Sequence, residues 1–168
     1  MKSIARILLL MAAFAGLSMA QLKLGVINSQ KAVLDTAEIK KAQTELETKF
    51  KPRQEKIVLL QKELEDLQTK LNTGKLADQN AQEAQLSGQR KQRELTRLTE
   101  DLQADVERDR NEILQRCGVR MQDVVKQLAE QKGLDVVIDQ TTTVYLKPAL
   151  DLTAEATAAY DKAHPVVK

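Results

Sequence analysis

The sequence predicts a mainly α protein with a small β body, in which a long α-helical hairpin arm projects from a short-stranded oligomerisation body formed by both chain ends. Three observations carry that expectation. Short apolar runs rich in β-branched residues occur only near the two ends, at Leu22–Asn28 and Leu134–Asp139. Everything between them is dense in Glu, Gln, Lys, Arg, Leu and Ala, the residues that lose least on entering a helix. Aromatic residues are scarce: beyond Ala20 only Phe50, Tyr145 and Tyr160 occur, which excludes a large aromatic core and fits long helices.

The first twenty residues read as an export signal cleaved after Ala20. Lys2 and Arg6 precede the uncharged stretch Ile7–Leu17, and Ser18 and Ala20 place small residues at the positions a signal peptidase requires. The apolar stretch is too short for a membrane-spanning helix, which needs about 20 residues, and no cysteine follows it for lipid attachment. Localisation in the periplasm is the expectation. Setting Met1–Ala20 aside, with its two basic residues, leaves 148 residues carrying 24 basic and 24 acidic side chains, a formal charge of zero.

Residues 21–36 and 132–168 are assigned to the body and residues 37–131 to the arm, with its tip near 72–76. Leu24–Ile27 predicts a first strand, stopped at Asn28-Ser29 by a turn or helix cap. In the first long helix the apolar register runs through Ile39, Leu46, Phe50, Ile57, Leu60, Leu64, Leu67 and Leu71, interrupted only by Gln43 and Arg53. From Ile57 onward its spacing is that of a coiled-coil seam. Asn72-Thr73-Gly74 ends the register and predicts a reversal.

The second helix begins near Leu76 and carries Leu95, Leu98, Leu102, Val106, Ile113, Cys117, Met121, Val124 and Leu128 toward Gly133, with Asp109 as a polar member. Toward the tip, Ala77, Ala81, Ala84, Gly88 and Lys91 take the positions that leucines hold further along, which predicts weak packing and mobility there. Pro52 lies inside the first helix, lacks an N–H and crowds the preceding turn, so a kink or hinge is expected at Lys51-Pro52.

Leu134–Asp139 predicts a second strand and Thr142–Leu146 a third, stopped by Pro148, with a hairpin between them. Asp151-Leu152-Thr153 then offers capping oxygens to a last short helix ending near Ala163, whose Leu152, Ala156 and Tyr160 would cover one face of the sheet. So few strands bury too little apolar surface to stand alone. Association of several copies through the sheet follows, with Leu24, Val26, Val136, Ile138 and Val144 as the oligomerisation residues.

No catalytic constellation emerges, and no enzyme, cofactor or metal site is expected. Gly74-Lys75 fails the phosphate-loop pattern, since Thr69 stands where an earlier glycine is required and Leu76 where a hydroxyl is. Cys117 is the sole cysteine, which excludes an intramolecular disulfide and any multi-cysteine metal site, and burial is expected for it. His164, the sole histidine, is expected to be solvent-exposed.

Lys70, Lys75, Arg90, Lys91 and Arg93, with Arg97, form a local basic excess around the tip, a place where a client chain or an anionic membrane surface can be met. Nucleic acid is excluded as a partner by export, by zero net charge and by the absence of stacking aromatics among these bases.

The signal, the opening Lys23-Leu24-Gly25-Val26-Ile27-Asn28, the charged hairpin, Gly133-Leu134-Asp135-Val136-Val137-Ile138-Asp139, Val144-Tyr145 and Asp151-Leu152-Thr153-Ala154-Glu155 together resemble the Skp/OmpH family of periplasmic chaperones across essentially the whole mature chain. That resemblance implies a homotrimer with a β-barrel-like body and three helical arms around a cavity. It also implies an ATP-independent holdase that cages unfolded outer-membrane or envelope proteins and slows their aggregation. The neutral mature chain departs from the strongly basic balance of familiar members. A structural coiled-coil envelope scaffold or spacer, binding one fixed folded partner, is the competing reading.

Overall fold

The computed structural model describes residues 22–73 and 78–166. The proposed signal, Lys75 of the tip cluster and the turn at Gly74 lie outside the described residues. Six elements follow one another: strand β1 (Leu24–Ile27), helix α1 (Ser29–Leu34), helix α2 (Ala37–Asn72), helix α3 (Asp78–Lys132), strand β2 (Val136–Asp139) and helix α4 (Thr153–Ala163). Helical turns at Gln140–Thr142 and Pro148–Leu150 lie between the last two.

Local chemistry sets most of these boundaries. Asn28 caps α1 by accepting from the Lys31 amide at 2.8 Å, and Thr36 caps α2 by accepting from the Ile39 amide at 3.3 Å. Thr36 is fully buried and its hydroxyl also donates to the Val33 carbonyl at 2.8 Å, so one side chain joins the end of α1 to the start of α2. At the far end of α3, Gly133 adopts φ +61°, and the Leu134 amide reaches back to the Ala129 carbonyl at 2.9 Å. That is the left-handed glycine closure that turns the chain out of the helix and into β2.

At ~1.5 Å per residue, α2 extends roughly 54 Å and α3 roughly 80 Å, which makes the arm. Its predicted seams are present but unequally filled. On α2, Ile39, Phe50 and Leu60 are buried, whereas Leu46, Ile57, Leu64, Leu67 and Leu71 are half-buried. On α3, Cys117, Met121, Val124 and Leu128 are buried, whereas Leu95, Leu98, Leu102, Val106 and Ile113 are half-buried. The helix continues unbroken through Pro52.

The body differs from expectation in its sheet. β1 and β2 pair in parallel, Leu24 opposite Val136 and Val26 opposite Ile138, so the whole arm is the crossover between two parallel strands. No third strand forms at 142–146. The Asp139 carboxylate accepts from the Thr141 amide at 2.9 Å and the Thr141 hydroxyl at 2.7 Å, while the Thr142 hydroxyl donates to the Asp139 carbonyl at 2.8 Å. These local bonds wind Gln140–Thr142 into a helical turn that competes with a strand, and no hairpin follows. On the other edge of β1, Asp151 makes a single parallel bridge with Val26, and the Leu152 amide donates to the Val26 carbonyl at 2.8 Å.

The core lies where the chain ends meet the root of the arm. Ile27, Ala32, Ile39, Cys117, Met121, Val124, Leu128, Leu152, Ala156 and Tyr160 form one buried cluster, so α4 covers the sheet through its expected residues. Gly25 is required there: a Cβ on it would come within 2.5 Å of Leu152 Cδ1 and 2.9 Å of Leu134 Cδ1. Polar bonds tie the ends together, from the Asn28 amide to Thr153 Oγ1 at 2.9 Å and from the Ala37 amide to Asp161 Oδ1 at 2.9 Å.

Candidate functional site

Two surfaces offer contact with other chains, the edge of the body and the outer arm. At the body, the strand pairing brings together four of the five predicted oligomerisation residues. Val26 is buried, Leu24 and Ile138 are half-buried, and Val136 is 42% exposed. Val144 does not join them; it stands fully out in solvent, with Tyr145 largely exposed beside it, on the segment expected to be a strand. Only one edge of β2 has a strand neighbour among the described residues. Beside it a groove of about 540 Å³ runs between α1, α3 and β2, floored by Ile27, Val33, Met121, Val125, Val137 and Ile138.

A strand edge without a neighbour leaves backbone N–H and C=O groups unpaired. The nearby Asp139 is held far below the usual carboxylate range, chiefly by hydrogen bonds from Ser29 and Thr141. Its negative charge is therefore a constant feature of this edge.

At the tip, Lys70, Arg90 and Arg93 are exposed, as is Arg97. Lys91 is half-buried and ion-paired with Glu63 across the hairpin, so it serves the arm's own cohesion rather than a free basic patch. Between tip and body the sequence reading missed Val58 and Leu59, which are 60% and 62% exposed outside the seam. The run Ile57-Val58-Leu59-Leu60 carried the signal: a two-helix seam can use only its first and last members. Leu86 adds a further exposed apolar side chain on α3.

The root holds a polar cluster that the sequence reading also missed. The Glu38 carboxylate, in the first turn of α2, accepts from the Tyr160 hydroxyl at 2.6 Å and from Arg120 at 3.0 Å, with Arg116 at 3.3 Å. Burial pushes the Glu38 carboxyl up, but Tyr160, Arg120 and Arg116 more than offset it and hold it below its ordinary value. Burial raises the Cys117 thiol, which keeps it protonated and unreactive, and raises the Tyr160 hydroxyl as well. His164 is half-buried against the Tyr160 ring, centroids 4.8 Å apart, rather than free in solvent, because it caps α4 four residues on, its amide donating to the Tyr160 carbonyl at 2.8 Å. Glu38, Arg120 and Tyr160 thus lock three helices together.

A long hairpin, a small parallel sheet and chain ends closing on each other are a specific combination, and it is matched among known proteins. The family model described as outer membrane protein (OmpH-like) matches residues 23–160. The chain belongs to the OmpH-like family. Among OmpH-like relatives, a "Skp-like protein" of Pseudomonas aeruginosa is 26% identical over 81% of this chain and 82% of its own length. The protein named "Chaperone protein Skp" in Pectobacterium atrosepticum is 29% identical over 88% of this chain and 90% of its own. A solved structure of a putative outer membrane chaperone (OmpH-like) from Caulobacter crescentus shares the fold, with a TM-score of 0.71 at 19% identity, covering 89% of each chain. Among the described residues no helix is long and apolar enough to cross a membrane, and no group of His, Cys, Asp or Glu is placed to hold a metal ion.

Proposed function

We propose that this OmpH-like protein is an ATP-independent holdase chaperone of the periplasm. It assembles as a homotrimer through the β2 edge and holds unfolded outer-membrane or envelope proteins between its arms, preventing their aggregation. The observation that carries this reading is the outer arm itself. Its seam leucines other than Leu60 are half-buried, and Val58, Leu59 and Leu86 are exposed, so apolar side chains are offered along a long, uncommitted surface. Many weak apolar contacts suit a non-native chain, which has no fixed shape to match. Family membership and relatives named as Skp chaperones support the same reading.

Oligomerisation would involve Leu24, Val136 and Ile138 around the paired strands, with buried Val26 supporting them from within and Val144 supplied from the exposed 143–146 segment. The basic residues Lys70, Lys75, Arg90 and Arg93 are proposed as secondary contacts to a client or an anionic membrane surface, with Lys91 contributing only when its pair to Glu63 opens.

The test is size-exclusion chromatography with light scattering on the mature protein, alone and after dilution of a urea-unfolded outer-membrane barrel protein into it. The expected result is a trimer that keeps the client soluble in a defined complex without nucleotide. A trimer that lets several such clients aggregate would overturn the holdase reading in favour of a scaffold with one folded partner, and a monomer would overturn the assembly.

A further inference from the structure

Besides Lys91 near the tip, two charged residues interrupt the apolar seams of the arm, Arg53 on α2 and Asp109 on α3, and the fold brings these two into one network. Lys49 Nζ donates to Asp109 Oδ2 at 2.5 Å, and Arg53 Nη1 donates to Asp105 Oδ2 at 2.6 Å. Arg108 closes the group at 2.8 Å from Asp105 Oδ1 and 3.3 Å from Asp109 Oδ1. Phe50 is buried in the same place, its ring centroid 5.2 Å from the Lys49 ammonium and 5.8 Å from the Arg53 guanidinium. Hydrogen bonds from Arg53 and Lys49 hold the Asp105 and Asp109 carboxyls below their ordinary values.

Pro52 sits inside this span. With no N–H of its own, it leaves the Thr48 carbonyl without its helical partner, so the ladder of α2 is weakest here. Charge across the seam is densest at the same point. Further out, the cross-helix pairs Lys56–Glu94 and Lys91–Glu63 are single, and their acidic side chains are 42% and 55% exposed against 14% for Asp109, although the basic partner Lys49 is itself 60% exposed. Salt screens all of these pairs, so variants at the clasp are needed to separate its part from theirs.

Register is the second consideration. A seam of repeated leucines can slip along itself at small cost, because each half-buried leucine finds a similar neighbour one turn away. A charged residue in the seam cannot slip, since it would face leucine instead of its partner.

We infer that Lys49, Arg53, Asp105, Arg108 and Asp109 form a polar clasp that holds the two arm helices in one register across Pro52, and that loosening it frees the outer arm to bend while the body stays folded. The root side of the clasp is anchored independently, by the core around Cys117 and Met121 and by the Glu38 cluster. Bending is therefore confined to the tip side. The inference concerns the arm alone and stands whether or not the arm holds clients.

Hydrogen exchange of the mature protein, followed by mass spectrometry at about 0.01 M and about 1 M salt, tests it. Peptides within 56–71 and 84–104 are expected to exchange roughly fivefold faster at high salt, with 117–128 unchanged. The double variant Lys49→Gln/Arg53→Gln should show the fast exchange already at low salt and lose the salt response. Lys49→Asp should do the same, and adding Asp109→Lys should restore protection. Lys56→Gln, which opens one exposed pair further out, should leave the outer arm nearly as protected as in the parent. Salt-independent exchange, failure of the reversed pair to restore protection, or equal loosening by Lys56→Gln would each overturn the clasp.

Discussion

The root and the outer arm are built from the same two helices, yet they are held by different means. At the root, Cys117, Met121 and Val124 of α3 pack with Ile39 of α2 and with Ala156 and Tyr160 of α4 in a closed cluster. Further out, Leu64, Leu67 and Leu71 face α3 with no third element to cover them, and they remain half-buried. Helix propensity is similar in both regions, so propensity cannot account for the difference. A third layer can: α4 gives the root an inside, whereas a bare helix pair has only a seam. The lesson is that stability in this chain is a property of the closed ends, and the arm is ordered by its attachment to them.

Removing the third layer should have the largest effect. Tyr160→Ala deletes a fully buried ring together with the hydroxyl that Glu38 accepts from, and is expected to cost about 3–5 kcal/mol. Thermal unfolding of the mature protein would read it as a large fall in Tm, and a melt close to that of the parent would show that the root is not where stability resides. Gly25→Ala should come next, at about 1–3 kcal/mol, because its Cβ would overlap Leu152 and Leu134 within the packed body. The same substitution at Gly88, where a Cβ meets nothing within 4 Å, should leave stability unchanged or raised through helix propensity. Equal losses at the two glycines would erase the contrast between the regions.

Acid should separate them in a different way. Glu38 is depressed in the folded state, so its contribution is fully present above the ordinary glutamate value of 4.5 and is lost as pH falls through its lower folded value. Unfolding measured from neutral pH down to acid should therefore show a loss that Glu38→Gln reduces without abolishing, since Asp139, Asp105 and Asp109 are depressed as well. A variant that keeps the parent's pH profile would place that sensitivity elsewhere.

How far the sequence foretold this arrangement depended on the range of the forces involved. The arm was legible because seam spacing, helix formers and Gly133 are local signals, and Ile39, Phe50 and Leu60 were found buried in the register assigned to them. Leu152, Ala156 and Tyr160 were legible for the same reason. The segment 142–146 misled because Val144 and Tyr145 have strand character, while the competing signal is a set of side-chain bonds from Thr141 and Thr142 to Asp139. The Glu38 cluster was invisible, since no spacing rule relates Glu38 and Tyr160 to each other or to the Arg116 and Arg120 pair on α3. The clasp was half legible: Arg53 and Asp109 stood out as faults in two separate seams, and only the antiparallel return of α3 showed that they belong to the same network.

The smallest expected effect is in the outer arm and is the most telling about it. Leu67 lies in the seam of α2, yet it is only half-buried, so Leu67→Ala leaves no enclosed cavity and forfeits part of one side chain's burial, about 1 kcal/mol. Because the body unfolds as a separately anchored unit, Tm should barely move, and the loss should appear as faster amide exchange confined to the neighbouring turns of α2 and α3. A full drop in Tm from this substitution would mean that arm and body melt as one cooperative unit, and the half-filled seam would then have to be read as a structural strut.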